Sequence, residues 1–402
     1  MWELVQANKR KSVGLIIVMG VTLILLGFIF GSAYHPESGG MVGIFIAFIL
    51  WAILFLVTYS SGSKILLAVS GAKEVTKDVH PQLYNVVEEM KIASGHPHMP
   101  KVYIIDTPAP NAFATGLKPN NTAVAVTAGL LTKLNRDELQ GVIAHEMAHI
   151  VNRDVLFMTV SGIMLGVIVL LSQVFVRSMF FGGIGGRHSR SKDAGQAQIV
   201  FLVIAIVFAI LAPIAAQLLY FAISRTREYL ADASAVRFTR YPEGLASALH
   251  KISRSSDEIK SANKVTAPMY IANPLKKKGR KLSDLTSTHP PISERIKILR
   301  SIGRSADFTS YQNAFNQVSG KETKIIPQSG LKDATPIDIR GASGLPFVGE
   351  TKKQVQRNVG DLVMQLNDYS FINCPCGVKL KVPPAYKNKK VFCPRCKRQH
   401  SS

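Results

Sequence analysis

Residues 135–154 read NRDELQGVIAHEMAHIVNRD, and this stretch predicts a helix with a well-marked start. Asn135 followed three positions later by Glu138 is typical of a capping box, in which each side chain accepts a hydrogen bond from the other residue's backbone N–H. No proline interrupts the run that follows. Its apolar residues recur at roughly helical spacing: Leu139, Val142, Ile143 and Ile150.

The same helix carries the pattern H-E-x-x-H at His145, Glu146 and His149. Residues four apart lie on one face of a helix, so the two imidazoles offer two corners of a zinc tetrahedron. Glu146 lies one position along, where its carboxylate reaches a water on the metal and serves as general base. A structural helix with two solvated histidines is the alternative, because so short a pattern also arises by chance.

The composition favours a membrane protein. The chain has 402 residues, of which 47% are hydrophobic, yet its formal net charge is +22. These two properties conflict in an ordinary soluble domain, but they agree in a membrane protein whose soluble parts lie beside anionic lipid headgroups. Nucleic acid is the alternative partner for the basic residues.

Two uncharged runs near the N-terminus, 13–30 and 41–59, are long enough to span a bilayer. Basic residues flank the pair on both outer sides, which predicts that both outer ends lie in the cytosol. A cleaved signal peptide is the alternative interpretation of the first run. The flanking residues are Lys9, Arg10, Lys11, Lys64, Lys73 and Lys77.

Two further uncharged runs, 155–176 and 194–224, follow the histidine helix. If both cross the membrane, the chain returns to the side on which the histidine helix lies. We therefore predict about four transmembrane helices in the inner (plasma) membrane and a site that faces the cytosol. The loop between these runs is basic, which is unusual for an external loop, so a re-entrant hairpin is the alternative.

A zinc hydrolase needs a third protein ligand and one open coordination position. Glu228 is the candidate, because it lies on the helical continuation of the fourth uncharged run. Asp232 lies four residues further on the same face, where its carboxylate would orient a ligand imidazole or brace the helix junction. The alternative is that both are surface acids that balance Arg225 and Arg227.

The segment between the second run and the histidine helix is soluble in character. Residues 81–93 predict a helix that ends before Gly95, and residues 101–106 and 122–127 predict strands. A strand-like segment lies between those strands, and its free edge would bind a peptide substrate as an added strand. An ordinary hairpin edge is the alternative. The candidate edge residues are Asn111, Ala112, Phe113 and Ala114.

Three motifs, HEMAHIVNRD, EYLAD and NAFATG, together resemble the membrane zinc metalloproteases of the HtpX heat-shock type, relatives of the CAAX prenyl proteases. The resemblance covers roughly residues 2–300. It implies an α+β, mainly α, protein with a gluzincin-like catalytic core. It also implies an ATP-independent endoprotease that clears misfolded membrane proteins, with His145, His149 and Glu228 as zinc ligands, Glu146 as base and 111–114 as the substrate edge.

The sequence THPP at 288–291, followed by Arg295, resembles the closing motif of the same family. An imidazole or a guanidinium near the zinc would stabilise the oxyanion of the tetrahedral intermediate. His289 is the first candidate for this role and Arg295 is the second. A turn followed by a helix start is the alternative for both.

Beyond residue 300 the resemblance fades, and the sequence predicts an added unit. Residues 303–349 are rich in Ser, Gly and Pro and predict a linker, followed by a short amphipathic helix after Thr351. The predicted domains are therefore an N-terminal helix pair (1–60), the protease domain with its hydrophobic hairpin (61–300), the linker with its helix (301–370) and a C-terminal domain (371–402).

All the cysteines of the chain lie in that last domain: Cys374, Cys376, Cys393 and Cys396. Two cysteine pairs around a predicted strand are typical of a four-thiolate zinc site, because so small a segment has no adequate core without a metal. We therefore predict a zinc-ribbon-like domain with a structural zinc, in addition to one catalytic zinc. A redox pair or free thiols are the alternative, and a recruiting or regulatory contact is the expected role.

These observations predict an integral membrane zinc endopeptidase that cleaves misfolded or damaged membrane proteins at the cytosolic face. Its partners would be peptide or membrane-protein substrates and anionic lipid. Binding to nucleic acid is not favoured, because few aromatic residues lie among the basic residues of the tail. Two other functions remain open, a prenyl-protein endopeptidase of the CAAX type and a non-catalytic membrane sensor that binds zinc.

Overall fold

The computed structural model is mainly helical and contains one four-stranded sheet and two small hairpins. The residues that it describes are 2–35, 37–155, 225–259, 267–274, 289–303, 305–320, 322–332, 336–341 and 352–401, with scattered positions between 158 and 214 and at 262.

The N-terminus is a helical hairpin of α1 (Trp2–Tyr34) and α2 (Gly39–Val69). Glycines on both helices let the two backbones approach closely, since a Cβ added at Gly43 would collide with the carbonyl of Gly27. Within α2, Gly39–Val57 is long and apolar enough to cross a membrane, with a mean hydropathy of 2.8. Ile16–Ser32 in α1 is a shorter apolar stretch.

The predicted third and fourth membrane runs, 155–176 and 194–224, fall almost entirely outside the described residues. The described part of the chain therefore contains one candidate membrane span. The prediction of four transmembrane helices stays a prediction.

The sheet follows the hairpin and has the strand order β1-β2-β4-β3. Its central pair, β2 and β4, is parallel, and both outer strands are antiparallel to their neighbours. In this order β3 is an outer strand of the sheet. The bounds are β1 (Ala72–Glu74), β2 (Lys101–Ile105), β3 (Ala112–Lys118) and β4 (Asn121–Thr127).

Helix α3 (Pro81–Ser94) joins β1 to β2 and ends at Gly95 with a φ of 69°, a conformation that glycine adopts without steric cost. After β4 come α4 (Ala128–Lys133) and α5 (Arg136–Val151), the histidine helix. The predicted capping box is confirmed, because Asn135 and Glu138 each accept a hydrogen bond from the other's backbone N–H.

Three helices complete the core around α5: α6 (residues 225–239), α7 (Pro242–Arg254) and α8 (Ile292–Arg300). The contact between α5 and α7 is close, because a Cβ at Gly141 would meet the backbone of Leu245. One large apolar cluster joins α3, these helices and the face of the sheet that packs against the histidine helix. The histidine helix is therefore held on several sides by packed side chains rather than by its own propensity alone.

The segment beyond residue 303 differs from the predicted linker. It contains α9 (Phe308–Ser319) and α10 (Gln328–Lys332), and Phe308, Tyr311 and Phe315 of α9 are buried in the main core. Apolar residues at helical spacing here override a composition rich in Ser and Gly.

The predicted amphipathic helix is confirmed as α11 (Lys352–Leu366), with Val359 and Leu362 buried. Two hairpins follow, β5 (Ser370–Asn373) with β6 (Lys379–Val382) and β7 (Lys390–Phe392) with β8 (Gln399–Ser401). The first hairpin contacts α11 through Asp361, which accepts from Lys379 at 2.7 Å and lies 2.7 Å from Lys381 Nζ.

Candidate metal centre

The predicted zinc ligands lie together. Helix α5 presents His145 and His149 from one face, and α6 brings Glu228 against them. The candidate ligand atoms of the three side chains all lie within 4.8 Å of one another. All three residues are buried, so the sequence alternative of solvated histidines and a surface acid is wrong.

The distances fit a tetrahedral cation. The two Nε2 atoms are 3.2 Å apart, and Glu228 oxygens lie 3.6 Å from His145 Nε2 and 3.5 Å from His149 Nε2. Zinc–ligand bonds of about 2.0–2.1 Å that meet at tetrahedral angles put ligand atoms about 3.3–3.4 Å apart. The donor set of two imidazoles and one carboxylate is one that zinc hydrolases use, so the residues present fit zinc.

Two further carboxylates orient the imidazoles through the ring nitrogens that face away from the cation. Asp232 lies 2.9 Å from Nδ1 of His145, as the i+4 spacing from Glu228 predicted. Asp154 lies 3.2 Å from Nδ1 of His149. Such contacts fix the tautomer and ring orientation of a metal-binding histidine.

The sequence analysis missed Asp154. Its signal was present in the stretch HIVNRD, where an acid follows the second histidine by one and a half turns. Its position follows from the end of α5 at Val151, after which the chain turns back and Asp154 faces the helix that it has just left.

Arg295 on α8 is fully buried and connects the acids behind the ligands. Its Nε and Nη2 donate to both carboxylate oxygens of Asp232 at 2.8 and 2.7 Å, and its Nη1 lies 3.2 Å from Glu228 Oε2. This two-pronged pairing offsets the cost of burying both charges. The alternative, in which Arg295 only belongs to the start of a helix, therefore does not account for its contacts with Asp232 and Glu228.

His289 also reaches the cluster, because its Nδ1 lies 2.9 Å from Glu228 Oε2. It is buried and belongs to the wall of a cavity of about 880 Å³, whose lining includes none of the three candidate ligands. The same wall contains Asn111, Ala272 and Asp257. His289 and Arg295 therefore both contact the carboxylate of Glu228. Sequence spacing alone did not predict this contact for either residue.

The electrostatics of the cluster favour positive charge. Burial alone would lower the pKa of His145 and of His149, but hydrogen bonds to the buried carboxylates outweigh it and raise both, to about 10 for His149. Burial would raise the pKa of Glu228, but the three surrounding histidines hold it well below its usual value. A metal cation can satisfy this preference in place of the protons.

Glu146 differs from its neighbours. Its carboxylate is buried, and among the described residues no side chain donates a hydrogen bond to either oxygen. Burial raises the pKa of Glu146, and the nearby histidines oppose this shift. The backbone N–H of Ala114 also faces the carboxylate and lowers its pKa to a smaller extent. A desolvated carboxylate with spare acceptor capacity is suited to take a proton.

The predicted substrate edge lies next to this carboxylate. Ala112, Phe113 and Ala114 form the start of β3, which packs against α5, and Asn111 precedes them. β4 pairs with one edge of β3; the other edge pairs with no strand of the described sheet, and there the Ile271 N–H donates to Ala112 O at 2.9 Å.

The second candidate metal site is the cysteine cluster, in which all four sulfur atoms lie within 4.8 Å of one another. Tight turns present the thiols, with Gly377 N–H donating to Cys374 O and Lys397 N–H donating to Cys393 O at 2.9 Å each. His400 Nε2 lies 3.3 Å from Cys374 Sγ. The backbone N–H of Cys396 lowers the pKa of Cys393 to about 6, against the opposing effect of burial.

Comparison with known proteins agrees with this geometry. The model for the family described as Peptidase family M48 matches residues 77–303. The chain is 48% identical over 302 residues to a Protease HtpX homolog of Dictyoglomus thermophilum, covering 75% of this chain and 95% of that protein. It is 44% identical over 307 residues to a Protease HtpX homolog of Listeria monocytogenes, covering 75% of this chain and all of the relative.

Among solved structures, the crystal structure of S. mikatae Ste24p matches with a TM-score of 0.40 and 21% identity, over 74% of this chain and 67% of that chain. The family match ends at residue 303, so α9 to α11 and the cysteine cluster lie outside it.

Proposed function

The chain belongs to peptidase family M48, and from that premise we propose that Glu146 is the general base at a zinc held by His145, His149 and Glu228. The relationship to proteases named as HtpX homologs confirms the resemblance predicted from the motifs. The protein is a membrane zinc metalloprotease. The observation that carries the assignment of residues is the convergence of three buried ligands beside one buried, unpaired carboxylate.

When bound, zinc supplies Lewis acidity, which polarises the scissile carbonyl and makes a water acidic enough to attack at neutral pH. His145, His149 and Glu228 would hold the cation, and Asp232 and Asp154 would keep the imidazoles in place. The buried site excludes bulk water, which strengthens each of these interactions.

Glu146 takes a proton from the attacking water and later donates it to the nitrogen of the leaving amine. Its raised pKa supports both steps, because a carboxylate that binds a proton more readily is the better base and still releases it. The edge of β3 that does not pair with β4 would hold the substrate backbone alongside, as an added strand.

His289 keeps the role predicted from the closing motif, and Arg295 takes a different one. His289 lies on the cavity wall and contacts Glu228, a position from which an imidazole would donate to a developing oxyanion. Arg295 also contacts Glu228, and its Nη1 donates to a backbone carbonyl, that of Ile271, at 3.2 Å. It would therefore both position Glu228 and bind a peptide carbonyl.

We further propose a gluzincin-like catalytic domain at the cytosolic face of the inner membrane, anchored by four helices. Large apolar side chains on α2 support contact with lipid, because Phe45 and Leu56 are more than half exposed. Membrane proximity makes misfolded or damaged membrane proteins the natural substrates. Anionic headgroups would contact the basic surface.

The cysteine cluster would hold a second, structural zinc and make residues 371–402 a zinc ribbon. Close thiols on two tight turns support this proposal, because unpaired thiols gain little from such an arrangement. The basic ribbon carries no acidic residue, and the end of α11 that precedes it lies beside the sheet, where Lys73 donates to Leu366 O and Asn367. A recruiting contact with a substrate or partner fits that position.

The test is Glu146→Gln in purified full-length protein in detergent micelles, assayed with casein and by metal analysis. We expect proteolysis to fall by about 10²–10⁴-fold, the usual contribution of a general base, with the zinc content unchanged. Glu88→Gln on the exposed face of α3 is the matched control and should retain full activity. Unchanged, chelator-insensitive activity of Glu146→Gln would contradict the assignment and favour a non-catalytic role for the site.

A further inference from the structure

Residues 269–272, called the strap here, lie along the outer side of β3 and follow a short 3₁₀ turn at Ala267–Met269. The backbone N–H of Ile271 donates to the carbonyl of Ala112 at 2.9 Å. The strap thus adds a short stretch of chain to the sheet edge at the point where a substrate strand is expected.

Further hydrogen bonds from described residues hold the strap through its main chain. The carboxamide of Asn111 donates to Ala272 O at 2.8 Å and accepts from Ala272 N–H at 3.3 Å. Arg295 Nη1 donates to Ile271 O at 3.2 Å. Hydrogen bonds that use only the main chain of the bound segment would be available to any extended peptide, which is what a peptide-binding edge requires.

The strap also lies next to the reacting groups. Arg295 Nη1, which binds the strap carbonyl of Ile271, lies 3.2 Å from Glu228 Oε2. Ala114, whose N–H faces the Glu146 carboxylate, is only two residues along β3 from the strap's partner Ala112. A single guanidinium nitrogen therefore links the strap to a metal ligand.

The side chains of the strap alternate as they do on a strand. Tyr270 packs edge-to-face on Phe113 at 5.1 Å between ring centroids, on one face of the sheet. Ile271 belongs to the apolar cluster on the other face, the face of the zinc helix. Both are fully buried, so the edge offers one subsite shaped for an aromatic side chain and a following subsite shaped for a branched aliphatic one.

We propose that the strap is a built-in substrate mimic, and that another peptide binds the edge only when the strap leaves it. This inference rests on the proposed function. The ligand that competes with the strap is an extended peptide in which an aromatic residue precedes a branched aliphatic one. Because only the fraction of molecules with a displaced strap is competent, the closed strap weakens the apparent affinity for substrate.

The test compares an intact strap with a weakened one. Tyr270→Ala combined with Ile271→Ala removes the buried side chains but keeps every main-chain group of the edge. The probe is a fluorescent peptide with the sequence of residues 269–273, MYIAN, and a scrambled peptide is the control. Binding is measured by anisotropy in the Glu146→Gln background, and cleavage is measured with Glu146 restored.

We expect the double substitution to increase peptide affinity and cleavage by about tenfold or more, because a larger fraction of molecules becomes competent. Leu83→Ala is the matched control, since it removes a fully buried side chain of α3, outside both the strap and β3. Equal affinity with intact and weakened straps, or an equal gain in Leu83→Ala, would overturn the proposal.

A second measurement covers the case in which the double variant does not fold or loses zinc. In full-length Glu146→Gln, hydrogen exchange of the Ile271 and Ala272 amides is followed with and without excess MYIAN peptide. Faster exchange in the presence of bound peptide supports displacement, and unchanged protection refutes it.

The outcomes separate this inference from the proposed function. Chelator-sensitive cleavage by the unsubstituted chain with no gain on weakening the strap rejects the strap proposal alone. Absence of such cleavage in every zinc-loaded variant rejects both.

Discussion

The two candidate metal sites of this chain are built in opposite ways. The His145, His149 and Glu228 cluster joins helices separated by most of the predicted hydrophobic hairpin, and its ligands are buried among Asp232, Asp154 and Arg295. The cysteine cluster is made within one short segment, and Cys396 is exposed.

This difference indicates different tasks. A buried site with an unpaired carboxylate beside it can hold a metal and still perform chemistry, since one coordination position and one base remain available. A site in which four thiolates surround the cation is closed and contributes folding free energy instead. Substitutions at each site test whether the two sites act separately, and the largest effect on proteolysis is expected at the catalytic site.

Glu228→Ala tests the long-range ligand. We expect one of two zinc ions per chain to be lost and proteolysis to fall by at least about 10³-fold, because the metal supplies several kcal/mol of transition-state stabilisation. Zinc content by mass spectrometry and casein cleavage measure the two effects. Glu243→Ala is the matched control, since Glu243 forms an exposed ion pair with Arg300. Full activity of Glu228→Ala would remove this residue from the ligand set.

The sequence predicts relations between neighbouring residues better than contacts between distant helices. His145, Glu146 and His149 were identified because their relation is local and periodic, and the cap at Asn135 was identified for the same reason. The contact of Arg295 with Asp232 depends on how α8 packs against α6, which no local pattern encodes. The resemblance to a family placed Arg295 near the site, but only the fold shows that it is buried behind the ligands.

After residue 303, in contrast, the local sequence signals were present but the segment was predicted as a linker. Asp307 caps α9, Gly320 ends it, and Phe308, Tyr311 and Phe315 lie at helical spacing, so every signal of a buried helix was present. The Ser, Gly and Pro content of the whole segment obscured that period when it was averaged over 303–349. Periodicity within a short window was the better guide there.

Asp232→Asn tests the carboxylate behind the ligands. It removes the charged partner of fully buried Arg295 and weakens the contact to His145, so we expect zinc affinity to fall about 10–100-fold. We also expect a loss of stability of about 3–5 kcal/mol, because a buried charge loses its partner. Competition with a chelator and thermal unfolding measure the two quantities. Retention of full zinc affinity would mean that Arg295 and Asp232 only brace the helices.

Cys393→Ala tests the separateness of the local site. We expect loss of one zinc ion and unfolding of residues 370–401, because the ribbon has little core of its own. Cleavage of a short peptide should change by no more than about twofold, since the catalytic ligands lie in a different unit. Hydrogen exchange over the ribbon and peptide cleavage are the measurements. A large loss of cleavage would show that the ribbon supports the catalytic site, and the contrast between the sites would then fail.

Asp361→Asn gives the smallest expected effect and is the partly exposed counterpart of Asp232→Asn. The Asp361 side chain is 22% exposed between α11 and the ribbon, where it accepts from Lys379 and lies 2.7 Å from Lys381 Nζ, and these two lysines lower its pKa. Because water and salt screen such pairs, their loss should cost no more than about 1 kcal/mol. Thermal unfolding at low and high salt measures this cost, which should shrink as salt increases. The same Asp-to-Asn change would then be severe behind the zinc ligands and nearly neutral at the ribbon. A loss of stability as large as that of Asp232→Asn would instead show that the ribbon is locked to the protease domain by a desolvated contact.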